Sequence, residues 1–120
     1  MVAHCGVAQR QGRLELAAAS LRSGADTIQY RRKTGDYWGW MVEAREVAEL
    51  CRSYNVPLII NDHLKLCLDV GADGLHLGLN DMPVAEARRI LGPEKIIGGT
   101  SRTIEHVRAA AADGADYVGF

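Results

Sequence analysis

The sequence lacks several features that would assign it to a special class of protein. It has no apolar run near the roughly 20 residues that cross a bilayer, and its beginning lacks a signal-peptide core. Its net charge of only −1 gives no overall attraction to nucleic acid or to anionic membranes, so any anion-binding site must be local. Three cysteines without CxxC or Cys/His spacing do not suit a disulfide framework. We therefore expect a cytoplasmic protein without nucleic-acid or membrane partners, in which Cys51 and Cys67 pack inside helices.

What the sequence does have is a repeated tripeptide, Gly-Ala-Asp, at residues 24–26, 71–73 and 114–116. Each copy closes a helix-like segment and opens a strand-like one, and glycine suits the left-handed conformation that stops a helix. The alternation predicts βαβ units and a parallel sheet, and the nearly continuous apolar strands fit a sheet covered on both faces, as in a packed barrel. The predicted strands are 27–30, 57–60, 74–77, 95–98 and 117–120, and the predicted helices are 14–22, 37–54, 63–70, 84–91 and 104–112.

Two carboxylates follow predicted strands, at the end where parallel α/β proteins place their chemistry. Asp62 comes just after the second strand, with Asn61 beside it, and Asp81 follows the third strand. Mg²⁺ commonly takes one or two protein carboxylates and completes its shell with water and substrate phosphate, so the pair favours a metal site and a phosphorylated substrate. The alternative is that each aspartate only caps the helix that follows it, and capping and metal binding are compatible.

The first predicted strand continues into a cluster of cations. With a period of two, Gln29, Arg31 and Lys33 point one way, while Arg32 points the other. An amide and two cations on one face form an anion-binding set, because Arg offers a planar fork to phosphate oxygens and Lys a mobile point charge. The alternative is that these cations only form the solvated start of a loop. The carboxylates at the ends of neighbouring strands argue against this alternative, because they need compensating positive charge or a metal.

A set of ordered motifs extends from the first predicted strand to the last. They are Ile28-Gln29-Tyr30-Arg31-Arg32-Lys33, Leu58-Ile59-Ile60-Asn61-Asp62, Gly71-Ala72-Asp73-Gly74-Leu75-His76-Leu77-Gly78, Asp81-Met82-Pro83, Ile96-Ile97-Gly98 and Gly114-Ala115-Asp116-Tyr117-Val118-Gly119-Phe120. Together they resemble a known family, the thiamine-phosphate synthases, from about residue 14 onward. The resemblance implies part of a TIM (β/α)₈ barrel, with about five parallel strands alternating with helices in one incomplete domain over residues 1–120. It also implies an Mg²⁺-dependent transferase of thiamine biosynthesis that joins a hydroxymethylpyrimidine diphosphate to a thiazole phosphate and releases pyrophosphate.

The resemblance also implies a role for each site residue. Asp62 and Asp81 would hold Mg²⁺. The implied mechanism is dissociative, so no protein nucleophile is needed, and the catalytic task of Arg31 and Lys33 is to stabilise the departing pyrophosphate together with the metal. The residues expected to bind the pyrimidine diphosphate are Gln29, Arg31, Lys33, Asn61 and Thr100.

Three positions need comment beside this assignment. Thr100 stands where the family has serine, and the hydroxyl is kept. Arg32 stands where the family usually has glutamate, and we expect an effect on packing or on the surface because this side chain faces away from Arg31. His76, on the interior face of its strand, is tempting as an acid or base, but a core or supporting histidine that orients a carboxylate is the favoured interpretation.

The resemblance covers only part of the family pattern. The first strand of that pattern is expected to be missing, since residues 1–13 do not resemble it, and the later loops that bind the thiazole phosphate are absent from the sequence. We expect the chain alone to be inactive, or to fold only as a homo-oligomer or with a complementary C-terminal half. Two other functions stay open: a thiazole tautomerase-like relative, which would not need both aspartates, and a non-catalytic partial barrel that acts as a binding or assembly module.

Overall fold

Six parallel strands lie side by side, in chain order, in one sheet. The computed structural model describes residues 2–4 and 10–120. Each strand pairs in parallel with the next one along the chain, which is the winding of a (β/α)₈ barrel before closure. The elements are β1 (Val2–His4), α1 (Arg10–Arg22), β2 (Thr27–Tyr30), α2 (Tyr37–Ser53), β3 (Leu58–Asn61), α3 (Leu64–Val70), β4 (Gly74–Leu77), α4 (Val84–Leu91), β5 (Ile96–Thr100), α5 (Ile104–Ala112) and β6 (Tyr117–Gly119).

The predicted partial TIM barrel is confirmed, with one strand more than expected. The five predicted strands correspond to β2 through β6, and α4 and α5 have the predicted bounds. The expectation that the first strand is missing is wrong, because Val2 and Ala3 pair in parallel with Thr27 and Ile28. A strand of three residues is too short for an alternating pattern to stand out, so the sheet and not the local sequence identifies it.

The two faces of the sheet carry different side chains, as the period of a strand requires. One set packs under the helices in the main core and includes Ile28, Tyr30, Leu58 and Leu75. Both free cysteines that the structure describes, Cys51 and Cys67, are buried on this side, and the third, Cys5, lies outside the described residues. Within the described part of the chain, no helix is long and apolar enough to span a membrane.

The other face, which is the inside of the incomplete barrel, becomes polar toward the carboxyl ends of the strands. Gln29, Asn61, His76 and Thr100 occupy this face of β2, β3, β4 and β5. The register places Asn61 beside His76, and His76 beside Gly98. Hydrogen-bonding groups from four neighbouring strands therefore point into the same space.

Two copies of the Gly-Ala-Asp repeat, at residues 71–73 and 114–116, fix how neighbouring strands are aligned. Asp73 accepts the amide of Leu58 through its carboxylate at 2.8 Å, and its own amide donates to the carbonyl of Leu58 at 2.9 Å. Asp116 accepts the amide of Ile97 at 2.8 Å and donates back to the same residue. The glycine that opens the repeat, Gly71, has a positive φ of 65° at the end of α3, a conformation in which a β-carbon would be strained. The repeat is thus structural.

Candidate functional site

One pocket of about 580 Å³ opens at the carboxyl ends of the strands. It brings together all the residues that the sequence singled out for substrate and metal. Two polar side chains that line it, those of Arg102 and Asn80, were not predicted. The residues that line it are Gln29, Arg31, Lys33, Asn61, Asp62, His76, Gly78, Leu79, Asn80, Asp81, Thr100 and Arg102.

The two aspartates are not helix caps. The cap of α3 is His63 and that of α4 is Pro83, and neither makes a side-chain capping bond. Asp81 instead accepts the backbone amide of Gly78 through one carboxylate oxygen at 2.7 Å. The capping alternative is therefore wrong for both aspartates, and their presence in the pocket needs another explanation.

Asp62 and Asp81 lie against each other. Burial raises the pKa of Asp62, and the Asp81 carboxylate, close enough to share a hydrogen bond, raises the pKa further. Lys33 and His63 act in the opposite direction and lower the pKa of Asp62. Two carboxylates that face each other in a half-buried site repel unless a proton or a cation lies between them. The geometry therefore favours a cation at this point.

The backbone at Asp62 is held in an unusual conformation. Its φ is +69°, one of only two positive values among the described residues other than glycine. The amide of His63 donates to the carbonyl of Asn61 at 2.8 Å, which closes a three-residue turn with Asp62 at its centre. Such turns cost free energy and persist where the surroundings enforce them. Here the turn directs the Asp62 side chain into the pocket.

The donor set in the pocket suits Mg²⁺ better than a transition metal. Among the described residues no group of three or more His, Cys, Asp or Glu side chains could hold an ion. A magnesium site needs only one or two carboxylates, with water and substrate phosphate completing the shell. Next to Asp62, the side-chain oxygen of Asn61 is buried and has no hydrogen-bond partner. Asp62 and Asp81 are therefore the side chains that could hold Mg²⁺, and the unpartnered oxygen of Asn61 beside them is available to a bound ligand.

Three cations also line the pocket. Arg31 and Lys33 are exposed at the end of β2, while Gln29 is buried deeper on the same face. Arg102, at the end of β5, adds a third positive charge. Arg102 follows Thr100 by two residues, and this spacing was the signal that could have identified it. The sequence analysis named only the hydroxyl of Thr100 at this strand end.

His76 is fixed between two hydroxyl groups. Its Nδ1 lies 3.0 Å from the hydroxyl of Tyr117, and its Nε2 lies 3.0 Å from that of Thr100. The ring also stacks on Tyr117 at a centroid distance of 5.5 Å. The Tyr117 ring in turn lies over Gly98, where a β-carbon would come within 2.0 Å of it. This arrangement fits a supporting histidine that positions Thr100.

Arg32 turns away from the pocket, as predicted, but it enters a buried network. Its Nη1 donates to the Glu43 carboxylate at 3.1 Å, and the same oxygen accepts from Tyr30 at 2.6 Å and from Arg13 at 2.7 Å. Glu43 is completely buried in α2. Sequence reasoning missed it because a glutamate among the charged residues of an amphipathic helix is typical of a solvated face. The only available signal was an arginine on the outward face of β2.

A family model described as thiamine monophosphate synthase matches residues 1–120 of the chain. The chain belongs to this family. A thiamine-phosphate synthase from Salinibacter ruber is 46% identical over 112 residues, which are 93% of this chain and 49% of the relative. Another from Nitrosospira multiformis is 49% identical over 102 residues, 84% of this chain and 44% of the relative. The chain thus spans about half the length of the curated relatives it matches.

Solved structures agree with this assignment. Thiamine phosphate pyrophosphorylase from Pyrococcus furiosus superposes with a TM-score of 0.90 at 30% identity, covering 98% of this chain and 58% of that one. A putative dihydrodipicolinate synthetase from Pseudomonas aeruginosa superposes with a TM-score of 0.79 at 11% identity, which shows a common fold alone. The match over residues 1–120 extends the resemblance noticed from residue 14 to the beginning of the chain.

Proposed function

We propose that this chain is the pyrimidine-diphosphate-binding and metal-binding part of a thiamine-phosphate synthase. The reaction is the transfer of a hydroxymethylpyrimidine group from its diphosphate to a thiazole phosphate, with release of pyrophosphate, in the cytoplasm. The single observation that carries the proposal is the convergence of an aspartate pair and three cations on one pocket. A diphosphate with a divalent cation matches that distribution of charge.

The residues divide the work according to their positions. Gln29 lies deepest of the β2 set and would hydrogen-bond the pyrimidine ring, with Asn61 on the next strand. Arg31 and Lys33, at the exposed end of β2, would neutralise the diphosphate oxygens as negative charge grows on them. Thr100, held by His76, would donate its hydroxyl to the same group. Bound Mg²⁺, held by Asp62 and Asp81, would supply further positive charge to the leaving group.

The thiazole phosphate would need a binding site of its own. Because the chain spans about half of its relatives, we place the acceptor site in a complementary C-terminal half or in a second copy. The chain alone is then expected to bind the pyrimidine diphosphate but not to turn it over. Robust formation of thiamine phosphate by a purified monomer of 120 residues would contradict this point.

Calorimetry with the pyrimidine diphosphate, with and without Mg²⁺, tests the proposal. Binding is expected to depend on the metal, and Asp81→Asn is expected to remove that dependence. Glu94→Gln is the matched control, because Glu94 is an exposed carboxylate before β5, at the opposite end of the strands. Metal-independent binding of a thiazole phosphate would indicate a tautomerase-like relative instead, and no binding of either compound would indicate a non-catalytic module.

A further inference from the structure

The loop that carries Arg31 and Lys33 is held by hydrogen bonds on the side away from the pocket. Arg32 is at the centre of these contacts. Its Nη1 donates to the carboxylate of the buried Glu43, and its Nε donates to the carbonyl of Thr34 at 3.2 Å. Only 18% of the Arg32 side chain is exposed. One guanidinium therefore joins a fixed point in α2 to the loop backbone.

Glu43 is held by donors from several elements. It accepts from three donors on one oxygen, of which Arg13 comes from α1 and Tyr30 from β2. Although burial raises the pKa of Glu43, the bonds from Arg13 and Tyr30 lower it more, so the carboxylate stays charged. These three donors restrain one carboxylate oxygen, while the second oxygen is buried without a hydrogen-bond partner among the described residues.

The carbonyl of Thr34 accepts a second hydrogen bond. The indole of Trp40 donates to the Thr34 carbonyl at 2.8 Å. Gly35 follows with a φ of +101°, and a β-carbon there would lie 2.7 Å from Arg32 Nη2 and 3.2 Å from the Trp40 indole nitrogen. The positive φ disfavours any residue other than glycine, and an added β-carbon would also displace the Arg32 guanidinium.

These contacts also extend to His63, which lies next to Asp62 in the chain. His63 lies 3.0 Å from the carbonyl of Arg32 through its Nε2, and its ring stacks on Trp40 at a centroid distance of 4.5 Å. The set Arg32, Glu43, Trp40 and His63, which we call the loop brace, therefore links the strand end with the cations to the strand end with the carboxylate.

We propose that Arg32 is a positioning residue, which through the loop brace holds Arg31 and Lys33 in the conformation that binds the diphosphate. The inference rests on the proposed function, because the diphosphate is its ligand. The side chain of Arg32 does not line the pocket. It acts by raising the fraction of chains whose loop is ready to bind, and the apparent affinity changes with that fraction.

The test uses Arg32→Lys and Arg32→Met in a Trp38→Phe background. Trp38 is 72% exposed, and its replacement leaves Trp40 as the single tryptophan of the chain. Lysine keeps a positive charge facing Glu43 but has no second nitrogen for the Thr34 carbonyl, whereas methionine keeps neither. Arg52→Lys, at an exposed position near the end of α2, is the matched control.

Three quantities are measured for each variant: the thermal midpoint, the Kd for inorganic pyrophosphate with Mg²⁺, and acrylamide quenching of Trp40. Arg32→Met is expected to lower the thermal midpoint, and Arg32→Lys to restore it. Both are expected to weaken pyrophosphate binding by about tenfold, as a fall to a tenth in the competent fraction would do, and to increase quenching. A lysine variant that restores affinity together with stability would overturn the inference, as would unchanged affinity in both variants.

The experiment separates this inference from the proposed function. If the parent does not bind pyrophosphate with Mg²⁺, the proposed function is wrong. Acrylamide quenching of Trp40 then remains as the test of whether the loop brace holds the loop. Unchanged quenching in Arg32→Lys then overturns the brace, and increased quenching supports it as the device that holds this loop.

Discussion

Replacing Asp81 by asparagine should change stability and metal binding in opposite directions. The two carboxylates of Asp62 and Asp81 lie close enough to share a hydrogen bond, and each is half-buried. Asparagine keeps an oxygen that accepts the Gly78 amide, so the bond that now orients Asp81 is retained. What disappears is one negative charge.

The gain in stability follows from the repulsion that is removed. Two like charges about 4 Å apart repel by about 4 kcal/mol in an effective dielectric constant of about 20. Partial exposure and the nearby Lys33 screen this strongly, which leaves about 1 kcal/mol. For a domain of this size that corresponds to a rise of about 4 °C in the thermal midpoint.

The loss in binding follows from the same charge. A magnesium site with one carboxylate instead of two should bind Mg²⁺ at least about tenfold more weakly, a difference of about 1.4 kcal/mol. Urea denaturation and calorimetry, each with and without Mg²⁺, measure both effects on the same preparation. An Asp81→Asn protein that is less stable than the parent without metal, or equally stabilised by Mg²⁺, would refute the reasoning.

Three further predictions concern other parts of the site and the sheet. Gly98→Ala should destabilise the fold by about 1–3 kcal/mol in urea denaturation, because its β-carbon would meet the Tyr117 ring at 2.0 Å; an unchanged midpoint would show that the ring moves freely. Lys33→Ala should weaken binding of pyrophosphate with Mg²⁺ by about tenfold and flatten its dependence on salt, since an exposed cation acts by charge, and equal salt slopes would contradict this. The backbone bond from Ile97 and the ion pair with Arg88 lower the pKa of Asp116; its contribution to stability is therefore complete above its unfolded pKa of about 4 and is lost as the pH falls through the lower folded value. Acid titration of Asp116→Asn should show a smaller loss over that window than the parent, and identical profiles would count against the contribution.

Sequence reasoning predicted the parts of the fold that depend on regular patterns. Strands β2, β4 and β6 were found because a Gly-Ala-Asp copy precedes each of them, and β3 and β5 because apolar residues fill them. The shared face of Gln29, Arg31 and Lys33 follows from the period of a strand. The convergence of Asp62 and Asp81 followed from their position at strand ends. These features are local, or are imposed by parallel pairing.

The rest depends on tertiary contacts that no local pattern reveals. β1 is recognisable only from its pairing with β2. The burial of Glu43 depends on donors from α1 and β2, far away in the chain. The turn at Asp62 places a residue that is not glycine at positive φ, which propensity argues against. The turn at Asp62 lies in the pocket, where function is expected to override local preference.

The bonds that Asp73 and Asp116 make to the preceding strand have a consequence for how such a sheet can be assembled. The aspartate before β4 and the aspartate before β6 each make two hydrogen bonds that fix the offset of that strand relative to the preceding one. The alignment of these two strands is then specified locally and does not rely on ring closure. A further βα module that carries such an aspartate would align itself in the same way on the last strand of the sheet.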